Sequence, residues 1–133
     1  MRIRPRRGLT LIDPAFEDKR DYLRTVMTVK EGLARFPTGM FAVWYPQLQR
    51  GDARELPEKL KKLADDWVNV ALTVCAPAAD GFGMHGSGMF VVNPPWTLAQ
   101  TLKETLPFLR EALGRDAAAE HRIGTSEGAK KPA

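Results

Sequence analysis

The run Gly8-Leu9-Thr10-Leu11-Ile12-Asp13-Pro14-Ala15-Phe16-Glu17 constrains the fold more than any other stretch. An apolar segment stops abruptly at an acid, a proline and an aromatic residue. That is the pattern of a buried strand delivering Asp13 and Phe16 to the carboxyl edge of a sheet, where open α/β sheets keep their chemistry. A plainer reading stays open on these residues alone: a strand end whose acid caps the next helix.

The stretch suits one kind of reaction. A flat, amine-bearing ring held against Phe16 would give its N–H hydrogens to the Asp13 carboxylate and the backbone carbonyl of Pro14. An exocyclic aromatic amine is a poor nucleophile because its lone pair is delocalised, and two acceptors aimed at its hydrogens favour a pyramidal, reactive nitrogen. The stretch resembles the Asp-Pro-Pro-Tyr motif of amino-methyltransferases that use S-adenosylmethionine. Ala15 stands for the second proline and relaxes the turn; Phe16 stands for the tyrosine, keeping a stacking face and losing a hydroxyl.

Length and composition narrow the class. A chain of 133 residues fits one domain with a moderate core. No apolar run approaches the roughly 20 residues of a membrane span, and the Arg-rich start lacks the apolar core of a secretion signal, so a cytoplasmic location is expected. Cys75, the only cysteine, forms no internal disulfide and sits beside an apolar run as a small core residue. With only His85 and His121 as imidazoles, far apart in sequence, no metal centre is expected. The net charge of +4, with a pI near 9.5, is concentrated at the ends: Arg2, Arg4, Arg6 and Arg7 in front, Lys130 and Lys131 behind. Such clusters either meet phosphates, nucleic acid being the natural polyanion, or serve as solvated tails.

In chain order, a helix is expected from about Asp18 to Arg35 with Tyr22, Leu23, Val26, Met27 and Leu33 on its apolar stripe. Pro37, Thr38 and Gly39 stop it, and Met40 to Tyr45 forms a second strand ending at Pro46. Strand, helix and strand imply a parallel pair with a right-handed crossover, which brings Trp44 and Tyr45 to the same edge as Asp13. There they either line a pocket for a base or pack under a loop. Gln47 to Arg54 reads as a loop, and a second helix follows near Leu56 to Trp67.

Val68 to Val74 and Met89 to Asn93 read as strands joined by a Gly-, Ala- and Pro-rich loop; with no helix between them they should pair antiparallel. Pro94-Pro95 ends the second of these. Thr97 caps a helix carrying Leu98 and Leu102, Pro107 should break or kink it, and Gly114 caps its end. The expected domain therefore covers residues 1–114, and 115–133, lacking a periodic apolar pattern, read as a flexible tail.

Two other motifs compete and lose on context. Gly81-Phe82-Gly83-Met84-His85-Gly86 spells the dinucleotide pattern but leads into a strand, not the helix whose N-terminus would hold a pyrophosphate; positive φ angles in a hairpin loop explain its glycines better. Asn93-Pro94-Pro95-Trp96 spells an amino-methyltransferase motif, yet it ends the return arm of a hairpin, so it reads as a strand terminator and Asp13 as the functional acid.

Taken together, residues 6–114 resemble the C-terminal half of the RlmJ family, bacterial enzymes that methylate N6 of one adenine in 23S ribosomal RNA. The match is carried by Arg7 to Pro14, Ala42-Val43-Trp44-Tyr45-Pro46, Gly86 to Trp96 and the Leu106-Pro107 helix. The resemblance implies a partial Rossmann-like methyltransferase fold: about four strands, mostly parallel with one antiparallel, and flanking helices. It implies Asp13 as the catalytic acceptor at the substrate amine and at the edge of the S-adenosylmethionine site. By it Pro14 would present its carbonyl and Phe16 would stack on the adenine; Trp44 and Tyr45 join them as expected substrate-binding residues through their place at the same edge. The adenine must be unpaired or flipped out, and methyl transfer is a direct in-line displacement needing no metal. In the family, the segment upstream of the first strand holds the Gly-containing cofactor turn, the ribose-gripping acid and the first three strands, and these have no counterpart in this sequence. Two expectations follow: a truncated half-enzyme active once the missing N-terminal half is supplied, or a non-enzymatic RNA-binding or self-associating remnant.

Overall fold

The structure is a computed structural model and describes residues 7–130. Arg2, Arg4, Arg6 and Lys131 of the basic ends lie outside the described residues. The chain runs β1 (Leu9–Ile12), α1 (Arg20–Arg35), β2 (Met40–Gln47), α2 (Gly51–Lys61), β3 (Trp67–Thr73), β4 (Gly86–Val92), α3 (Leu98–Leu113), β5 (Glu120–Thr125) and α4 (Ser126–Lys130). The strands form one sheet in the order β1-β2-β4-β3-β5.

As expected, β1 and β2 are parallel, with Ile12 opposite Val43, and β3 and β4 are antiparallel, with Asn69 opposite Phe90. β4 also pairs antiparallel with β2, so the reversed strand lies inside the sheet, between β2 and β3. The order follows from burial. Val43, Phe90 and Val92 are fully buried, and the strands that carry them take the centre of the sheet.

Helices cover both faces. Alternation along the strands sends Phe41, Val43, Tyr45, Phe90, Val92 and Trp67 into one core with Tyr22 and Val29 of α1 and Leu56 and Leu60 of α2. α3 crosses the other face over β3 and β5 and buries Leu106. On α1 the buried line is Tyr22, Thr25 and Val29, while Leu23 and Met27 of the expected stripe are exposed. The helix is rotated so that Thr25 faces inward, its hydroxyl donating to the Asp21 carbonyl at 2.7 Å.

Other boundaries move for identifiable reasons. α2 begins at Gly51, five residues before the expected start, because Ala53 already joins its buried face; it ends at Lys61, and Trp67 opens β3. α3 runs unbroken through Pro107. That residue is exposed, as is Lys103, so water can serve the carbonyl that the missing N–H leaves free. Thr97 precedes α3 without a side-chain cap, and the Gly114 N–H donates to the Arg110 carbonyl at 2.8 Å.

Two corrections matter more. Within the described residues the segment 115–130 is not a tail: β5 pairs antiparallel with β3 from Glu120 opposite Thr73 to Thr125 opposite Val68, making five strands rather than four. Buried Ser126 secures it, its hydroxyl oxygen accepting the Trp67 N–H at 3.1 Å. Nor is β1 a buried strand. It is an edge strand with Leu9 66% and Leu11 63% exposed, because α3 lies over the opposite side of the sheet and, among the described residues, only β2 pairs with it, on one side.

Candidate active site

Asp13 directly follows Ile12, the partner of Val43, and therefore stands level with Trp44 at the carboxyl edge of the parallel pair. Its carboxylate is exposed, and Pro14 beside it is half-buried. The chain then turns through Phe16, which adopts φ 54°. A bulky side chain in the left-handed region is strained by about 1 to 3 kcal/mol, and such strain persists where the surroundings over-determine it. Here they do: the Phe16 ring, 4% exposed, packs 4.8 Å from Tyr22 and 6.5 Å from Trp44, centroid to centroid. Asp18 ends the turn by accepting the Arg20 backbone N–H at 2.9 Å; the Arg20 guanidinium also binds it and holds its carboxyl below the usual range.

The five residues expected at the site thus divide. Asp13, Pro14 and Trp44 share one place, and Phe16 lies beneath Trp44 as a buried support. Tyr45 goes elsewhere. It follows Trp44 in the strand and so faces the opposite side of the sheet. Its ring lies flat across Gly88 of β4, where any Cβ would collide with the phenol, and its hydroxyl donates to Asn69 Oδ1 on β3 at 2.6 Å. Burial pushes the phenol up to about 12, so Tyr45 is a neutral donor at ordinary pH.

Tyr22 and Asn69 are the partners that sequence reasoning missed. Tyr22 supports Phe16 with a buried hydroxyl that has no hydrogen-bond partner. Asn69 anchors Tyr45. A polar residue inside the apolar run Trp67 to Thr73 was the available signal for the second of these.

Strand direction separates the two motifs that looked alike in the sequence. β4 runs opposite to β1, so Asn93 emerges at the other edge of the sheet. There it holds φ 54° while its amide donates to the carbonyls of Pro37 at 2.9 Å and Gly39 at 2.8 Å. Its side chain is committed to fastening the α1–β2 turn.

The family profile described as RsmJ, Ribosomal RNA large subunit methyltransferase D, RlmJ, matches residues 2–123. The chain belongs to the RlmJ family. The Ribosomal RNA large subunit methyltransferase J of Haemophilus influenzae is 42% identical over 108 residues, covering 81% of this chain and 38% of the relative. Its Escherichia coli strain K12 counterpart is 40% identical over 108 residues, 81% of this chain and 39% of the relative. The chain therefore spans about two fifths of the length of these RlmJ relatives. A crystal structure from Legionella pneumophila, described under the family DUF519, superposes with a TM-score of 0.82 at 27% identity, over 90% of this chain and 44% of that one. The partial methyltransferase-like α/β fold is thereby shown.

RlmJ membership implies a methyl donor of the S-adenosylmethionine type. The residue expected at the edge of that group's site is Asp13. The Gly81 to Gly86 loop, with φ 80° at Gly81 and 89° at Gly83, leads straight into β4 and offers no helix N-terminus. No group of three or more His, Cys, Asp or Glu among the described residues could hold a metal ion, and no helix among them is long and apolar enough to cross a membrane.

Proposed function

We propose that this chain is the substrate-activating half of a ribosomal RNA methyltransferase acting on the N6 amine of an adenine in 23S rRNA. The observation that carries the reading is the level placement of Asp13 and Trp44 at the carboxyl edge of β1 and β2, above a strained, buried Phe16. The Asp13 carboxylate and Pro14 carbonyl accept the two amine hydrogens, and the nitrogen lone pair is thereby turned out of conjugation with the ring. Trp44, half-buried and supported by Phe16, is the aromatic surface against which an unpaired purine rests. The methyl donor would be held mainly by residues in the part of the relatives' length that this chain does not span, and it would approach from the free side of β1.

The test is reconstitution. Co-expression with the preceding portion of an RlmJ relative should yield N6-methyladenine in 23S rRNA, read by mass spectrometry of nucleosides. Asp13→Ala should reduce that yield by a factor on the order of 10²–10³, the usual loss when a transition-state contact is removed. Asp13 is exposed, so the variant should fold normally. Full methylation by the Ala variant would overturn the assignment. Tight binding of S-adenosylmethionine by the chain alone, in isothermal titration, would overturn the half-site account.

A second reading has its own observation. The free edge of β1, with Leu9 and Leu11 exposed, is a template for strand pairing and suits a self-associating, non-enzymatic remnant that binds RNA. Salt-dependent RNA binding without methylation, even with the upstream portion supplied, would favour it.

A further inference from the structure

A concavity lies on the sheet face that carries Tyr45, between α2 and β5, with a volume of about 550 Å³. That is within the range of pockets that enclose small ligands. It opens at the carboxyl end of β2, where Gln47 and Gln49 follow the Trp44 position, so it begins at the same sheet edge as Asp13. Gly88 leaves the floor flat and lets the Tyr45 ring line it.

The lining combines unspent charge with unspent hydrogen-bonding groups. Arg54 from α2 and Arg122 from β5 both line it; Arg54 is exposed and carries no ion pair, and Arg122 has only a 3.9 Å contact to Glu120. Lys61 is partly neutralised by Glu58, the one acid in the lining, at 2.8 Å. Asn69 uses its oxygen on Tyr45 and keeps its amide nitrogen free, Gln49 uses its nitrogen on the Ala78 carbonyl and keeps its oxygen, and the His85 Nδ1 is buried with no partner. Unspent amide donor and acceptor groups, with an imidazole whose Nδ1 has no partner, in one lining mark a site for a polar ligand.

We infer that this groove holds one nucleotide of single-stranded RNA next to the target adenine, with Arg54 and Arg122 on its phosphates and Asn69, Gln49 and His85 on its base. The inference rests on the rRNA reading above. Two guanidiniums against one paired acid select an anion, and amide side chains match the edges of an unpaired base better than they match a carboxylate chain. Its position places the strand's path over the carboxyl edge, from Asp13 on one face to the groove on the other.

The test uses the full chain and a fluorescently labelled single-stranded RNA of twelve nucleotides, with anisotropy read between 50 and 200 mM salt. Arg54→Gln with Arg122→Gln should weaken binding about tenfold or more and lower the slope of log affinity against log salt by about two. Lys30→Gln with Lys62→Gln removes equal charge from outside the groove and should change the slope far less. The Asn69 and Gln49 side-chain amide signals in ¹⁵N spectra should shift as RNA is added. Equal losses from both charge pairs, no RNA binding by the unaltered chain, or competition by polyglutamate as strong as that by RNA would each overturn the inference. All of these are read without methyl transfer, so a failed reconstitution and a failed groove remain distinguishable.

Discussion

At the scale of single residues, neighbours in sequence are divided between two faces of one sheet. Trp44 joins Asp13 at the proposed reaction site, while Tyr45 crosses Gly88 to reach Asn69. That crossing has a pH signature. Burial raises the Tyr45 phenol from 10.0 to about 12. Below the ordinary value both folded and unfolded chains keep the proton, and the full stabilisation is present. Between pH 10 and 12 the unfolded chain releases the proton first, so stability falls by on the order of 2 to 3 kcal/mol across that window. Tyr45→Phe should flatten this part of the alkaline decline, measured by urea denaturation at pH 9 to 11.5, with the smaller share from buried Tyr22 persisting. At neutral pH the same variant should lose about 1 kcal/mol, because the Asn69 oxygen is left without its donor. An unchanged alkaline slope would show that Tyr45 titrates normally.

At the scale of elements, β5 decides whether β3 is an interior or an edge strand. Its sequence, Glu120-His121-Arg122-Ile123-Gly124-Thr125, carries a weak period of two: His121, Ile123 and Thr125 are half-buried and their neighbours exposed. Only Ile123 is strongly apolar, so the pattern does not stand out from polar surroundings, and the strand forms because β3 offers a free ladder. The turn before it is fixed by Asp116, which accepts the Ala76 and Ala118 backbone N–H groups at 3.0 and 2.8 Å; those bonds hold its carboxyl below the usual range. Removing residues 115–133 should therefore expose the β3 edge and one side of α3, and yield a chain that aggregates or unfolds, seen as lost thermal cooperativity. Ser126→Ala, which leaves the buried Trp67 N–H unpaired, should cost about 1 to 3 kcal/mol in chemical denaturation. A stable, monomeric 1–114 fragment would contradict the structural role of β5.

For the molecule as a whole, the asymmetry of the sheet dominates. β5, the other edge strand, is packed against α3 and α4 and tied by the Ser126 contact, whereas β1, among the described residues, presents an unpaired edge with Leu9, Leu11 and, at the far end of a shared cleft, Trp96 at 93% exposure. An apolar unpaired edge of this kind seeks a partner strand. The chain by itself should self-associate in a concentration-dependent way in sedimentation velocity, and Leu11→Lys should shift it toward monomer, since a charge on the edge blocks flat pairing. Adding the upstream portion of an RlmJ relative should compete with that self-association. A monomer at high micromolar concentration would remove the case for β1 as a docking edge.

The sequence alone determined the strand–helix–strand unit, the antiparallel hairpin and the placement of Asp13 and Asn93 at opposite edges of the sheet. Each rests on local chemistry: apolar runs ended by Asp-Pro or Pro-Pro, glycines with positive φ in the loop, and chain direction, which places Asn93 at the edge opposite Asp13 whatever the side chains do. Tertiary structure alone decided what depends on non-local partners. It put Phe16 under Trp44, sent Tyr45 to Asn69, rotated α1 so that Thr25 is inside and Leu23 outside, and recruited β5. Burial and pairing are properties of surfaces that meet from distant parts of the chain, and no local period reports which surface will be met.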